Sequence, residues 1–144
     1  MDAITLATDM VKLYEGLRLQ AYKPIPSDPW TVGYGATGVG VDKNTTWTIE
    51  HAKNDLERRL RTIEASIKAV MRKDLTDYEL AALISFTYNV GFSAFFKSTL
   101  RMRINNNDEK ASDEFLRWTK ADGKELAGLV KRRQAERQLF LRYM

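Results

Sequence analysis

Apolar residues recur at helical spacing over residues 4–15. Leu6, Met10 and Leu13 form the stripe, with Ile4, Val11 and Tyr14 beside them. Gly16 follows Glu15 directly, and glycine just past a helix end stops the helix there. The period then changes to two: Leu17, Leu19 and Ala21 alternate with Arg18, Gln20 and Tyr22, which is strand spacing. Pro24, Pro26, Ser27, Asp28 and Pro29 make a turn. Residues 30–34 are a short β-rich run, so the segment predicts a hairpin. Gly33, Gly35, Gly38 and Gly40 exclude a long regular element, though at 33 and 35 they let another backbone or a ligand come close. Residues 42–46 are another turn.

A long helix is predicted from Thr48, a capping residue with Glu50 in the first turn. Ile49, Ala52, Leu56, Leu60, Ile63, Ile67 and Val70 continue one stripe to about Met71, a length of ~35 Å. The opposite face carries Lys53, Asp55, Glu57, Arg58, Arg61 and Glu64, read as solvated with some pairing at i,i+4. A break near 61–66 is left open. Thr76 and Glu79 frame a capping box that opens a helix over Leu80 to Val90, ended by Gly91. Its apolar circumference marks it as the central buried helix. Asn89 is its polar exception, either a cap for nearby backbone or a group lining a cleft.

Residues 93–106 hold a short helix with Ser98 as cap and Leu100, Ile104 and Phe96 inward. Residues 105–108 are a turn, and a helix follows over 108–118 with Ala111, Phe115 and Trp118 buried. Residues 121–124 are a loop. The last helix is predicted over 129–143, with Leu129, Arg133, Glu136 and Phe140 on related faces. The fold class is therefore α+β, mostly helical. One domain covers 1–144, with a small hairpin lobe at about 12–60 and a helical lobe at about 1–11 and 61–144.

The length of 144 residues suits one domain that needs no covalent staple. There is no cysteine, which excludes a disulfide framework and a thiolate metal site. The net charge is +4, from 23 basic and 19 acidic residues. That balance fits a solvated surface or attraction to a polyanion, and charge alone does not choose between cell-wall polymers and nucleic acid. The N-terminal segment carries an early Asp2 and periodic apolar residues, so it does not read as a secretory signal. No run approaches the ~18 apolar residues of a membrane span. No metal constellation and no phosphate loop appear, so no cofactor is expected.

Glu15 stands where the first helix meets the hairpin. Taken alone, such a residue is surface decoration; a carboxyl facing a hairpin of polar groups also suits acid–base chemistry on a sugar. The stretch EGLRLQAY followed by WTVGYGAT resembles the active-site segment of the phage-type lysozymes, glycoside hydrolase family 24. The segments at 80–100 and 113–140 resemble that family's later parts, in the expected order. The resemblance implies a lysozyme-like fold with the cleft between two lobes. It implies hydrolysis of the β-1,4 bond between N-acetylmuramic acid and N-acetylglucosamine in peptidoglycan. It also implies Glu15 as the general acid and Thr31 as the residue that holds the attacking water.

Two positions depart from the family pattern. Pro24 stands where the family has its second carboxylate, and the loop is longer, which leaves Asp28 as the candidate base or charge stabiliser. Ser-Asp-Pro is also ordinary turn chemistry. Ala36 stands where the family has a histidine, so any ion pair made there is absent; the lone His51 is left out of the site. Tyr34, Asn89 and Arg133 are the candidate substrate-binding residues. Tyr34 offers a face for a sugar. Arg133 belongs to the basic run 131–133, one of which could instead pair with Glu15 or bind wall carboxylates. Arg18 is read as knitting the hairpin to the C-terminal lobe.

The expected partner is peptidoglycan, with a monomeric chain, no nucleic acid, and a holin implied by the resemblance only. The chain would be made in the host cytoplasm and act on the wall in the periplasm or outside. Three other readings stay open. One is a catalytically impaired wall-binding module of this fold, supported by Pro24. Another is a lytic transglycosylase. The third is a cationic protein that disrupts membranes through its last helix.

Overall fold

The structure is a computed structural model, and it describes residues 1–142. Helix α1, Ala3–Glu15, starts where the Asp2 side chain accepts from the Thr5 N–H at 2.8 Å. It stops at Gly16, whose N–H donates to the Lys12 carbonyl at 3.2 Å. Its buried face is Ala3, Ile4, Ala7 and Val11. This corrects the predicted stripe: Leu6 and Met10 only lean on the core, and Leu13 is 75 % exposed. Small alanines let the helix approach its neighbour closely, so the closest packing falls on the alanine side, not on the bulkiest side chains.

Strands β1, Arg18–Tyr22, and β2, Thr31–Gly33, pair antiparallel, with Arg18 opposite Gly33 and Tyr22 opposite Thr31. The register shifts between those pairs. The chain after β2 returns along the free edge of β1, where Ala21 N–H donates to Thr45 O at 2.9 Å and Trp47 N–H to Leu19 O at 2.7 Å. A small cluster of Ala21, Val32 and Ala36 fills this region, with Trp30, Val41 and Trp47 packed against it. Among the described residues Arg18 makes no side-chain hydrogen bond or ion pair to the helical part; its guanidinium lies 4.2 Å from the centre of the Tyr22 ring. His51 stacks at a tilt on Trp47.

Helix α2, Ile49–Val70, runs unbroken through 61–66 and is capped by Thr48, whose hydroxyl accepts from His51 N–H at 3.0 Å. Ala52, Leu56, Leu60 and Ile67 are buried, whereas Ile49 at the start is exposed. Helix α3, Asp77–Val90, opens with the predicted reciprocal cap: Glu79 N–H to Thr76 Oγ1 at 3.0 Å, and Thr76 N–H to Glu79 Oε1 at 2.9 Å. Leu80 to Thr87 are buried without interruption, because α1 and α2 and the last helix all pack around α3.

Within 93–106 the expected short helix capped by Ser98 is preceded by another: the two are α4, Phe92–Phe96, and α5, Thr99–Asn105. Ser98 divides them: its hydroxyl donates to Phe95 O and accepts from Arg101 N–H. Phe96 is exposed, not inward, and lies under the Arg101 guanidinium at 4.3 Å. The segment expected to be helical over 108–118 is a 3₁₀ helix, Ala111–Arg117, with Ala111 and Phe115 buried and Trp118 packed at the edge of the core. The loop at 121–124 is the turn of a small hairpin, β3, Lys120–Ala121, and β4, Lys124–Glu125. Asp122 and Gly123 both take positive φ there, +51° and +76°, which a two-residue hairpin turn requires. Helix α6, Ala127–Phe140, starts earlier than expected, and the predicted helical end at Tyr143 lies outside the described residues.

Candidate active site

Glu15 is the last residue of α1, and the turn at Gly16 aims its side chain toward the loop after β2. One carboxylate oxygen lies so close to Gly35 that a Cβ on that residue would sit 2.8 Å from Oε1. Gly35 also has φ +85°, so both its backbone and its missing side chain are needed here. The other oxygen, Oε2, accepts from Arg132 Nη1 at 2.6 Å. The Glu15 side chain remains 21 % exposed, so one edge faces open space.

Arg132 is held from behind. Its Nε donates to Glu136 Oε2 at 3.2 Å and its Nη2 to the Ser85 carbonyl at 3.1 Å. The Ser85 hydroxyl donates to Glu136 Oε2 at 2.6 Å. Glu136 also accepts from Arg133, which donates to the Trp118 carbonyl at 2.9 Å and to the Asn89 side-chain oxygen. A buried chain of contacts thus runs Glu15, Arg132, Glu136, Arg133, Asn89. Two guanidiniums face two carboxylates, so its charge is balanced. Burial pushes the Glu136 carboxyl up, against the pull of Arg133, Arg132 and the Ser85 hydroxyl. Burial likewise pushes Arg133 down, and Glu136 opposes this.

Tyr88 stands beside Glu15 and donates its hydroxyl to the Tyr34 carbonyl. Burial, and next the charge of Glu15, push its phenol up, so the hydroxyl keeps the proton it donates. A cavity of about 520 Å³ opens in front of these groups. Glu15, Gly35, Tyr88 and Asn89 line one part, and Arg58, Arg59, Thr62 and Ile63 of α2 another. Glu15 is the one carboxylate on that wall among the described residues.

The expected residues divide sharply. Glu15 and Asn89 meet at the cavity, joined by the buried chain behind them. Tyr34 does not present a ring to the cavity; the ring is in the core, with the Lys12 ammonium 5.6 Å above it. Arg133 does not reach the cavity either, because it is fully buried and its donors are engaged inside. The arginine that touches Glu15 is its neighbour Arg132. Thr31 is buried on β2 and its hydroxyl donates to Pro29 O at 3.0 Å. Asp28 is half-buried in the turn, its N–H bonded to Ile25 O at 3.0 Å. Neither Thr31 nor Asp28 is part of the cavity wall.

Sequence reasoning left open that one residue of 131–133 pairs with Glu15, and Arg132 is that residue; Glu136, Ser85 and Tyr88 are the site residues it missed. One signal was available. Arg132 and Arg133 stand four and three residues before Glu136, which puts both in reach of one carboxylate on a helix.

The family profile described as phage lysozyme matches residues 12–136. The endolysin of Bacillus phage B103 is 40 % identical over 143 residues, covering 98 % of this chain and 54 % of its own length. The chain thus spans about half the length of that relative. The endolysin of Acyrthosiphon pisum secondary endosymbiont phage 1 is 39 % identical over 136 residues, covering 91 % of this chain and 92 % of its own. Among solved structures, the muramidase domain of SpmX from Asticaccaulis excentricus superposes with a TM-score of 0.86 at 32 % identity, covering 95 % of each chain.

Proposed function

The chain belongs to the phage lysozyme family and has its lysozyme-like α+β fold, and we propose that it is a muramidase that hydrolyses the β-1,4 bond between N-acetylmuramic acid and N-acetylglucosamine in peptidoglycan. One observation carries this reading. A single carboxylate, Glu15, projects from a helix end into an open cavity of about 520 Å³, clamped by Arg132 and Gly35. A general acid must hold one position relative to the bond it protonates, and the clamp supplies that.

In this reading the sugar chain lies in the cavity and Glu15 protonates the glycosidic oxygen as the bond breaks. The family motif assigns Thr31 to hold the attacking water; its hydroxyl donates once and still accepts, and here it lies off the cavity wall, so the role needs the same closure on substrate as that of Asp28. Asp28 serves as base or charge stabiliser once the turn that carries it closes on substrate. Water attack from the face opposite the leaving group inverts the anomeric carbon. The protein works as a monomer on the wall, in the periplasm or outside, and a holin lets it reach that wall. Among the described residues no helix is long and apolar enough to cross a membrane.

Digestion of purified peptidoglycan by wild type and Glu15→Gln, with products read by mass, tests the reading. Hydrolytic reducing ends from wild type and none from a folded Glu15→Gln are the expected result. Anhydro sugar ends would instead identify a transglycosylase. Pro24, together with the lone carboxylate on the cavity wall, favours one second reading: a module that binds walls without cutting them. Wall binding with no released ends would establish it.

A further inference from the structure

The cavity carries an unmatched positive charge away from Glu15. Arg58 and Arg59 both line it from α2. Both are tied to one carboxylate a turn earlier: Arg58 Nη2 to Asp55 Oδ1 at 2.8 Å, and Arg59 Nε to Asp55 Oδ2 at 2.8 Å. Asp55 is thereby used on both oxygens, and two guanidiniums share a single negative charge. Arg59 spends Nη2 on the Thr37 carbonyl at 3.3 Å, which anchors it to the loop after β2. Among the described residues, Arg58 Nε and Nη1 and Arg59 Nη1 donate to no partner. Arg58 is 66 % exposed, so its free edge is open to whatever enters the cavity. Elsewhere on the wall the charges cancel, since Glu15 is matched by Arg132.

A peptidoglycan strand offers the complement. Its muramic acid residues carry a lactyl carboxyl, either free or linked to a short peptide that has carboxylates of its own. We propose that Arg58 and Arg59 form a subsite for a carboxylate of the bound strand. This rests on the reading that the cleft holds peptidoglycan. Asp55 and Thr37 hold the two guanidiniums in advance, so less side-chain freedom is lost on binding. The free Nε and Nη1 of Arg58 each offer a charge-assisted hydrogen bond to a carboxylate oxygen.

The test is calorimetric binding of three uncut ligands to the full chain: the disaccharide GlcNAc–MurNAc with its free lactyl carboxyl, its methyl ester, and the peptide-bearing disaccharide. The expected result is that at least one carboxylate ligand binds about ten-fold tighter than the ester at low salt. That preference collapses toward unity in Arg58→Gln and at high salt. Arg61→Gln removes an equal charge from the same helix outside the cavity, and it should keep the preference. A preference for the free disaccharide assigns the lactyl group, and one confined to the peptide form assigns the peptide; both support the subsite. Equal binding of all three ligands overturns the subsite while leaving the muramidase reading intact. A preference that survives Arg58→Gln overturns it as well. An acid preference in a protein that releases no ends from walls would uphold the subsite and remove the muramidase reading instead.

Discussion

Arg132 and Glu15 lie 117 residues apart in the chain and 2.6 Å apart in space, the arginine almost fully buried and the glutamate at the edge of the cavity. The pair joins α6 to the end of α1. Behind it, Arg132 is one of the two guanidiniums that balance Glu136. Arg132→Met should therefore do more than free Glu15. It leaves one guanidinium, Arg133, against the two carboxylates Glu15 and Glu136 and strips the fully buried Glu136 of a donor, at a cost of roughly 3–5 kcal/mol. Urea unfolding at neutral pH checks this. A loss below about 1 kcal/mol would mean that Arg133 alone satisfies Glu136. Adding Glu136→Met should not recover the loss, because it leaves Arg133 fully buried without its carboxylate partner.

Gly35→Ala should cost activity more than stability. The new Cβ would meet Glu15 Oε1 at 2.8 Å, and the backbone holds φ +85°. The backbone strain costs ~1–2 kcal/mol, while the carboxylate must move off its position. A displacement of ~1 Å in a catalytic group lowers turnover by about 10²-fold. Equal Tm and equal turnover for the variant and wild type would show that Gly35 does not set the Glu15 position.

Asp2 gives a pH signature at the start of α1. The Thr5 backbone N–H, then its side chain, hold the Asp2 carboxyl below its ordinary value of 3.8. The folded state thus binds this proton less readily than the unfolded state. The stabilisation is present above pH 3.8 and lost as pH falls through the lowered folded value. Asp2→Ala should melt lower than wild type at neutral pH, and the two melting curves should converge under strongly acidic conditions. A gap in Tm that persists at pH 2 would contradict this origin.

In the proposed mechanism Asp28 is the base or charge stabiliser, and Pro24 holds the position where the family has its carboxylate. Asp28→Asn should lower turnover by about 10²-fold or more if its carboxylate enters the cleft on closure. Activity equal to wild type would exclude that role. Pro24→Asp should then raise activity, because it restores a carboxylate where the family has one. Initial rates on purified walls, with far-ultraviolet circular dichroism to confirm folding, separate these outcomes.

Local signals were readable from the chain. The end of α1 at Glu15, the caps at Thr48 and Ser98, and the Thr76–Glu79 box each depend on residues within three or four positions of one another. The buried character of α3 was also readable, because a helix surrounded on every side has apolar residues all round. The buried face of α1 was misread because Ala3 and Ala7 weigh little on a hydrophobic scale yet permit the closest approach. The second small hairpin was missed because its strands are two residues each.

What the sequence determined by itself is the family, the order of elements and the carboxylate Glu15, since each rests on short-range pattern or on motif. Only the tertiary structure decided which arginine meets that carboxylate, that the Tyr34 ring is core, and that two arginines of α2 share Asp55 at the cavity. Arg132 and Arg133 are adjacent and chemically alike, and their roles differ by a rotation of about 100° around α6. Such a rotation is set by how α6 packs on α3, which no local pattern along the chain encodes.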